Sequence, residues 1–476
     1  MYMTRLLNCL LMFAVSPCFA AEEKPSEAIK LTFDPTPRQE IKGWGVYPGY
    51  FHKRIWGPRS QVQDRADVMA LHAQMPYTIL RTEIRSEYWK AATNGPNDKI
   101  ADLVEGIRAV RKSKPNLPYI VSIWSPPADM KMPPIAVGVA KGIPGIKDGT
   151  KSKLQESREA DFCDFVVNCL KHLETEGVGL PMALSIQNEP GHAVWYESTA
   201  YDRDKPEQYF RVNILMRKKL DEAGMQQVEL HGPDINDYNA ALWMLGRDNL
   251  FEKLTSNSEM MKAWGSLCTH TYEFWHKNPT DRLKYIKEYS KAAQNWQKLK
   301  GGADLWMTEF SIDTKIAGVE TENDKGIFEL RSLIRDFIMV PNNYWFYWHT
   351  PGIEINYKED KVEVLPRYEI YKQFWTAAKP GSRVHEIKSS DPRLKGNDQE
   401  YLDLMGFRSA EGGGALLINP QTEPLEVALD SLDFEGKASL FQAVESGANS
   451  KNVSVAGGKI LLTLPPRSIS ILNWKK

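Results

Sequence analysis

Short apolar segments alternate with longer amphipathic segments from about residue 41 to residue 350. In the longer segments, for example Asp161 to Glu176 and Asp281 to Leu299, apolar residues recur at intervals of three and four, as in helices that bury one face. This alternation predicts a parallel βα architecture. The eight predicted strands span Ile41 to Phe51, Thr78 to Ile84, Tyr119 to Ser125, Ala183 to Glu189, Gln227 to Asp234, Leu267 to Glu273, Asp304 to Phe310 and Asn343 to Thr350.

Eight βα units close naturally into a barrel, and we therefore expect an α/β fold with a (β/α)8 TIM barrel over residues 41–380. The structural alternative is an open, doubly wound sheet. That fold needs a glycine-rich phosphate-binding turn after an early strand. Gly43-Trp44-Gly45 is too bulky to serve as such a turn, so the barrel is preferred.

After Pro380-Gly381 the pattern changes to short alternating strands separated by Gly, Asn, Asp and Pro. This texture predicts an all-β sandwich over residues 381–476. The early segment 22–40 contains one further strand, Ala28 to Phe33, which we expect to join the sandwich. The predicted sandwich strands are Tyr401 to Arg408, Gly414 to Asn419, Leu425 to Leu429, Lys459 to Leu464 and Ser468 to Trp474.

The charge balance excludes one broad class of partner. The 476 residues contain 60 Lys and Arg against 61 Asp and Glu, a net charge of −1. Nucleic-acid binding usually requires a basic surplus, so we expect no nucleic-acid partner. A monomer is expected.

Residues 1–21 have the features of a secretory signal peptide. A cationic Arg5 precedes the apolar run Leu6 to Val15, and small residues follow up to Ala21. The run is too short to anchor in a bilayer, and no later stretch approaches the ~20 apolar residues of a transmembrane helix. We expect a secreted or periplasmic protein. Lipid anchoring at Cys18 is disfavoured because Ser16-Pro17 precedes it.

Cleavage would leave three cysteines, Cys163, Cys169 and Cys268. An odd number rules out a complete disulfide framework. We interpret all three as small buried hydrophobic residues.

Two predicted strands end in a glutamate, Glu189 after Leu184-Ser185-Ile186-Gln187-Asn188 and Glu309 after Leu305-Trp306-Met307-Thr308. A carboxylate at the exit of a buried strand needs partners or a shifted pKa. Structural ion pairs would satisfy each glutamate alone. A pair of carboxyl groups is also the minimum that an enzyme needs to cleave a glycosidic bond.

Other polar and aromatic residues fall at predicted strand ends, where a barrel of this kind has its chemistry. They are Arg81 and Glu83 on the second strand, Trp124 on the third, Asn188 on the fourth, His270 and Tyr272 on the sixth and Trp348 on the eighth.

On these residues the chain resembles glycoside hydrolase family 30, within a clan of retaining barrel hydrolases. The resemblance extends over nearly the whole mature chain. It is carried by Gly43-Trp44-Gly45, Trp124-Ser125-Pro126-Pro127-Ala128-Asp129-Met130, Asn188-Glu189-Pro190, Leu305-Trp306-Met307-Thr308-Glu309, Phe374 and Pro380-Gly381-Ser382-Arg383-Val384.

The resemblance implies that Glu189 is the acid/base and Glu309 the nucleophile. Glu189 should then hold a proton at neutral pH, while donors keep Glu309 ionised. Arg81 and Tyr272 are the candidate donors, and Asn188 is expected to donate to the sugar 2-hydroxyl. No metal or cofactor is expected, because two carboxylates suffice for hydrolysis and the histidines lack ligand spacing.

The sequence leaves two interpretations open for each of four residues. Trp124 and Trp348 fit sugar-stacking platforms better than core packing. His270 is either a substrate contact or a satisfied imidazole behind the site. Arg81 is either a functional group or a rim ion pair with Glu83.

Within the family, the sequence texture is closest to xylan-cleaving members, and an oligosaccharide or polysaccharide is the expected partner. Members that depend on glucuronic acid carry an arginine after the eighth strand, whereas this chain has residues 349–357 without arginine and with Glu354. We therefore expect a xylan-type substrate without glucuronic acid dependence. A β-1,6-galactan or β-1,6-glucan and a glucosylceramide-like substrate are the alternatives.

Two non-enzymatic interpretations stay open: a carbohydrate-binding protein that keeps the barrel, and a glycan-docking sandwich supported by it. The long loop from Lys131 to Lys153 follows the third strand. It should either narrow the cleft or shape distal subsites.

Overall fold

Eight parallel strands close into a barrel, each hydrogen-bonded to the next along the chain, with the eighth paired to the first. The computed structural model describes residues 28–48, 65–192, 194–202, 206–245, 254–276, 278–312, 316, 318–356, 359, 361–394, 401–430 and 432–476. The predicted signal peptide and Cys18 lie outside these residues. The barrel strands are Gly43–Tyr47, Ile79–Ile84, Tyr119–Ile123, Ala183–Ser185, Glu229–Ile235, Trp264–His270, Leu305–Glu309 and Tyr344–Trp348.

Helices follow the strands and form the outer layer, which confirms the predicted TIM barrel. Local signals fix several of their ends. The helix after the sixth strand begins at Pro279, where the Asn278 side chain accepts a hydrogen bond from the Thr280 N–H. The helices are Ala66–Gln74, Ala101–Arg111, Glu159–Thr175, Glu207–Glu222, Tyr238–Leu245, Ser258–Ala263, Pro279–Leu299, Glu322–Ile338 and Pro366–Ala377.

The lower half of the barrel interior is apolar. Trp306 stacks on Tyr344 with ring centroids 3.7 Å apart, and Phe346 fills the space beside them. Gly45 makes room for this layer, since a Cβ there would lie 2.0 Å from the Phe346 ring. The buried His231 ring also lies against Trp306, with centroids 5.6 Å apart, and the cluster of buried charged side chains lies at the carboxyl end of the barrel.

The C-terminal region is a two-sheet sandwich, as predicted. The chain enters it before the barrel, because Ile29–Phe33 pairs with both Ile387–Ser389 and Leu425–Asp430. Ile460–Leu464 completes this four-stranded sheet. The second sheet contains, in spatial order, Arg383–His385, Leu404–Ser409, Gly412–Asn419, Ser468–Lys475, Gly436–Val444 and Gly447–Val455.

Four of these strands escaped prediction: Arg383–His385, Ile387–Ser389, Gly436–Val444 and Gly447–Val455. The first two contain three residues each, too few to show a period. Gly447–Val455 lies at the edge of its sheet and is exposed over most of its length. An edge strand with polar residues on both faces lacks the alternation on which strand prediction depends.

The apolar core of the barrel continues into the second sheet of the sandwich, and a separate apolar cluster that includes Leu31 fills the space between the two sheets. At their junction the Phe374 and Phe407 rings lie 6.1 Å apart. Arg331 pairs with the buried Asp403 at 2.7 Å. Asn323 Nδ2 donates to the carbonyl oxygen of Arg467 at 2.7 Å.

The three predicted buried cysteines are free and buried, and burial raises the pKa of each thiol. Within the described part of the chain, no helix has the length and apolar character required to cross a bilayer.

Candidate active site

Glu189 and Glu309 meet at the carboxyl end of the barrel. Glu309 is the last residue of the seventh strand, and Glu189 follows the end of the fourth. Both side chains are buried, and a carboxylate oxygen of one lies within 4.8 Å of a carboxylate oxygen of the other. The two strand ends thus bring two carboxylates to a single point.

The backbone turns sharply at this point. Glu189 and Asp234 have φ angles of +50° and +52°, which non-glycine residues rarely adopt. The Glu189 N–H donates to the Asp234 carbonyl oxygen at 2.8 Å. Strained conformations of this kind persist where the surroundings enforce them, often at functional sites.

Two donors hold Glu309. Arg81 Nη1 donates to Glu309 Oε2 at 2.5 Å, and the Tyr272 hydroxyl donates to Oε1 at 3.0 Å. Each carboxylate oxygen therefore has a donor of its own, which fixes the orientation of the group.

Arg81 is the buried centre of a wider network. Its Nη2 donates to Asn188 Oδ1 at 2.6 Å and to Asp234 Oδ2 at 3.2 Å. The alternative pairing of Arg81 with Glu83 is wrong, because Glu83 pairs with Arg85 at 2.7 Å. The second strand thus supplies the guanidinium that links the fourth, fifth and seventh strands.

His270 lies among three carboxylates. Its Nδ1 is 3.5 Å from Glu189 Oε1, and its Nε2 is 3.3 Å from Asp234 Oδ1 and 3.7 Å from Glu309 Oε2. Burial alone lowers the pKa of this imidazole, but the three carboxylates raise the pKa to about 9. At neutral pH His270 is therefore a buried cation between the two glutamates.

The carboxyl groups differ in pKa. Burial raises the pKa of Glu309, against the opposing charges of His270 and Arg81. Burial acts in the same direction on Glu189, but the hydrogen bond and charge of His270 outweigh it, so the pKa of Glu189 is lowered. This order is the reverse of the expectation that Glu189 holds the proton. The reason is the contact with His270, which strand positions alone do not reveal.

Two functional candidates were not among the predicted site residues. Asp234 accepts hydrogen bonds from Ser122 and Thr308 at 2.7 and 2.6 Å, and Arg81 holds its pKa well below the usual range despite burial. The Tyr196 hydroxyl donates to Glu189 Oε2 at 2.5 Å. The position of Asp234 at a predicted strand end was an available signal, whereas Tyr196 lies in a loop without one.

Aromatic rings form one wall of the site. Trp348 stacks on Tyr47 with ring centroids 4.0 Å apart, and Trp124 meets Trp348 edge-on at 5.7 Å. Trp124 and Trp348 are partly exposed. Among the described residues, Trp124 Nε1 and Asn188 Nδ2 are buried donors without a hydrogen-bond partner. These two groups are available to a polar ligand in front of the wall.

The glutamates and His270 bring three potential metal-ligand atoms within 4.8 Å of one another. The surrounding charges do not fit a divalent cation. Arg81 lies 2.5 Å from Glu309 Oε2, and the raised pKa of His270 means that its nitrogens carry protons. The donor set instead suits a neutral, hydroxyl-rich ligand.

The comparisons with known proteins gave matches by structure alone. No family model and no curated protein matches the sequence. A family 30 endoxylanase from Clostridium papyrosolvens C71 has a TM-score of 0.64 and 15% identity, covering 94% of this chain and 99% of that one.

Two further structures match with probability 1.00. A family 30 subfamily 8 xylanase from Clostridium acetobutylicum has a TM-score of 0.66 and 18% identity, covering 93% and 98% of the two chains. An endo-β-1,6-glucanase has a TM-score of 0.65 and 15% identity, covering 94% of each. The matches span barrel and sandwich over 93 to 94% of this chain, and the chain has the fold of the glycoside hydrolase family 30 enzymes.

Proposed function

We propose that this protein is a β-glycoside hydrolase that retains anomeric configuration. The observation that carries the proposal is the separation of less than 4.8 Å between carboxylate oxygens of Glu189 and Glu309. Retaining enzymes place their carboxyl groups ~5 to 5.5 Å apart, whereas inverting enzymes need ~6.5 to 9.5 Å to admit a water. The short separation between Glu189 and Glu309 therefore fits direct attack on the anomeric carbon by one carboxylate, rather than by a water.

The proposed reaction is a double displacement. Glu309 attacks the anomeric carbon and forms a glycosyl ester while Glu189 gives a proton to the departing glycosidic oxygen. A water then attacks the anomeric carbon, Glu189 takes its proton, and the Glu309 carboxylate leaves. The covalent bond between Glu309 and the anomeric carbon thus forms and breaks once in each catalytic cycle.

The surrounding groups have distinct proposed roles. Tyr272 and Arg81 hold Glu309 in one orientation, which lowers the entropic cost of attack. The free Asn188 Nδ2 is suited to donate to the sugar 2-hydroxyl, a hydrogen bond that strengthens as positive charge develops on the ring. Trp124 and Trp348 provide an aromatic wall for the sugar face.

Proton transfer depends on the carboxyl pair as a unit. Carboxyl groups this close titrate together and share protons. The reactive form carries the proton on Glu189 and the negative charge on Glu309. A glycosidic oxygen that accepts a hydrogen bond from Glu189, together with the donors on Glu309, favours this form over the opposite one.

We propose a xylan-type polysaccharide without glucuronic acid dependence as the substrate. Two of the structural neighbours are named xylanases. After the eighth strand, the hairpin Ile353–Asn356 and Lys361–Val364 sets Glu354 opposite Glu363. Arg367 Nη2 lies 3.7 Å from Glu354 Oε1 and offsets part of its negative charge. Arg367 is, however, also paired with Glu322 and Glu329. The two carboxylates of the hairpin therefore still disfavour the negative charge of a uronate. Cleavage of a signal peptide at residues 1–21 would deliver the enzyme to the secreted or periplasmic compartment where such glycans occur.

A β-1,6-glucan is the second candidate substrate. It rests on the endo-β-1,6-glucanase, whose TM-score of 0.65 lies between those of the two xylanases. Backbone similarity at this level does not separate the two linkages.

The test is reducing-sugar release by the purified chain from linear xylan, arabinoxylan, glucuronoxylan, β-1,6-glucan and β-1,6-galactan. Glu309→Gln and Glu189→Gln should each lower turnover of the preferred glycan at least about 10³-fold. The surface variant Glu259→Gln is the matched control and should keep full activity, since the exposed Glu259 pairs with the exposed Lys262 at 2.9 Å. With a β-glycosyl fluoride as substrate, sodium azide should partly rescue Glu189→Ala. Fluoride departs without a proton from Glu189, so the glycosyl ester forms, and azide then attacks this ester without a general base.

Three results would contradict the proposal, and a fourth would favour an alternative. Strong preference for glucuronoxylan would overturn the substrate assignment. Full activity in both glutamine variants would overturn the mechanism. Glycan binding without turnover would favour the carbohydrate-binding protein, and binding by the sandwich region alone would favour the glycan-docking alternative.

A further inference from the structure

Trp195 lies unusually exposed beside the candidate active site. Its relative exposure is 72%, the highest of the large apolar residues in the described ranges. The segment that carries it, residues 194–198, follows Glu189 closely, and its other members are buried or partly buried. Exposing an apolar indole ring to water costs free energy. A ligand that covers the Trp195 ring would recover part of this free energy.

The segment 194–198 is held firmly from two sides. The Glu197 carboxylate accepts hydrogen bonds from Arg85 at 2.9 Å and from the Ser86 N–H at 2.6 Å. The buried Lys131 ammonium donates to the Ser198 carbonyl oxygen at 2.7 Å. Trp195 is therefore an exposed ring on a fixed backbone.

The ring lies on a definite side of Glu189. Tyr196, its neighbour, donates to Glu189 Oε2, whereas His270 approaches Oε1 and also faces Glu309. Oε1 thus faces the nucleophile, and Oε2 faces the Tyr196 side. The Trp195 and Tyr196 rings lie 5.9 Å apart at 79°, so they are not stacked face to face, and the indole is 72% exposed.

We propose that Trp195 is the stacking platform for the leaving-group sugar, the first position beyond the bond that is cut. The inference rests on the proposed function, in which Glu189 protonates the oxygen of that sugar. Trp195 is adjacent in sequence to Tyr196, which donates a hydrogen bond to Glu189. Trp195 is therefore on the side of Glu189 where the departing sugar must lie. Pyranose rings present apolar C–H faces that stack on indole.

Stacking on Trp195 would also make the enzyme selective for the kind of leaving group. A substrate whose leaving group is a sugar gains the Trp195 contact, and a substrate with a small leaving group does not. Removing the indole should therefore weaken cleavage of oligosaccharides relative to cleavage of a glycosyl fluoride that carries the same sugars on the other side of the bond.

The experiment compares kcat/KM for β-xylobiosyl fluoride and for xylotetraose, both of which place xylobiose on the nucleophile side. Trp195→Ala should lower the ratio of xylotetraose to fluoride activity about five- to ten-fold. The loss should appear mainly in KM, as for an interaction made before and during reaction. Trp195→Phe should keep the ratio within about two-fold, because a phenyl ring still stacks. If the wild type prefers β-1,6-glucan, gentiobiosyl fluoride and gentiotetraose replace the two probes.

Leu461→Ala is the control, because Leu461 is 69% exposed on the sandwich, and it should leave the ratio unchanged. An unchanged ratio in Trp195→Ala overturns the platform while leaving the hydrolase intact. Wild-type turnover of the fluoride without turnover of either oligosaccharide also overturns it. Failure of the wild type on all four probes overturns the proposed function and the platform with it.

Discussion

His270 is the residue that couples the two glutamates electrostatically. It is fully buried, and three carboxylates surround it. Its charge lowers the pKa of Glu189 and opposes the rise in the pKa of Glu309. Asp234 and Arg81 complete the cluster, so that two cations face three carboxylates. This balance permits buried charges that would be prohibitive singly.

Replacing His270 by glutamine should move the pH profile of kcat/KM to higher pH. Below about pH 9 the histidine is protonated, and removing this cation raises the pKa of both glutamates. Both limbs of the bell-shaped profile should therefore shift upward, by about one unit or more. The measurement is kcat/KM for xylotetraose, whose sugar leaving group requires a proton from Glu189, between pH 4 and pH 9.

His276→Gln serves as the matched variant, because His276 pairs with Asp237 rather than with the glutamates. Its profile should coincide with that of the wild type. If both limbs of the His270→Gln pH profile stay where they are in the wild type, the imidazole does not determine the protonation of Glu189 and Glu309.

At the scale of elements, the loop from Lys131 to Lys153 supports the segment 194–198. Val137 bridges to Glu197, and the Val139 N–H donates to the Val194 carbonyl oxygen at 2.9 Å. The sequence left open whether this loop narrows the cleft or shapes distal subsites. Its pairing favours the second interpretation, since the loop carries the segment that holds Tyr196 and Trp195.

Lys131→Met should loosen this support. The Lys131 ammonium donates to Ser125 Oγ and to the carbonyl oxygens of Ala136, Val137 and Ser198. Methionine fills the space but leaves these acceptors unsatisfied, at a cost of about 2 kcal/mol in the free energy of unfolding. Amide hydrogen exchange at Val139 should accelerate.

The exposed Lys141 in the same loop provides the control, and Lys141→Met should change neither the stability nor the exchange rate. Unaltered exchange at Val139 in Lys131→Met would show that the backbone pairing alone holds the segment.

At the scale of the whole molecule, the described part of the chain begins with a sandwich strand, forms the barrel and then returns to the sandwich. Ile29–Phe33 is an interior strand of the four-stranded sheet, and the shared core continues from barrel helices into the second sheet. This arrangement predicts that barrel and sandwich unfold together.

Leu31→Ala tests this coupling. Leu31 is fully buried in the sandwich, and its truncation should lower the free energy of unfolding by about 2 to 4 kcal/mol. Calorimetry should show one transition, shifted to a lower temperature as a whole. Two transitions, with only one of them shifted, would mean that the sandwich unfolds independently of the barrel.

The barrel could be predicted because its signals are local. Each of the eight predicted segments overlaps an observed strand, although the sixth strand runs from Trp264 to His270 rather than from Leu267 to Glu273. The error reflects Trp264, a buried ring that lies outside the apolar run used for prediction. The polar edge strand Gly447–Val455 of the sandwich gave no such local signal and was missed.

The sequence by itself determined which side chains stand at strand ends, because an apolar run and its terminating glutamate are adjacent in the chain. Only the tertiary structure decided their partners. Tyr196 reaches Glu189 from a loop, Arg81 reaches Glu309 across the barrel, and His270 lies near both glutamates. Such contacts join residues separated by up to 228 positions, and they set the pKa order of the pair. Protonation and orientation depend on distances of a few ångströms in space, which no pattern along the chain encodes.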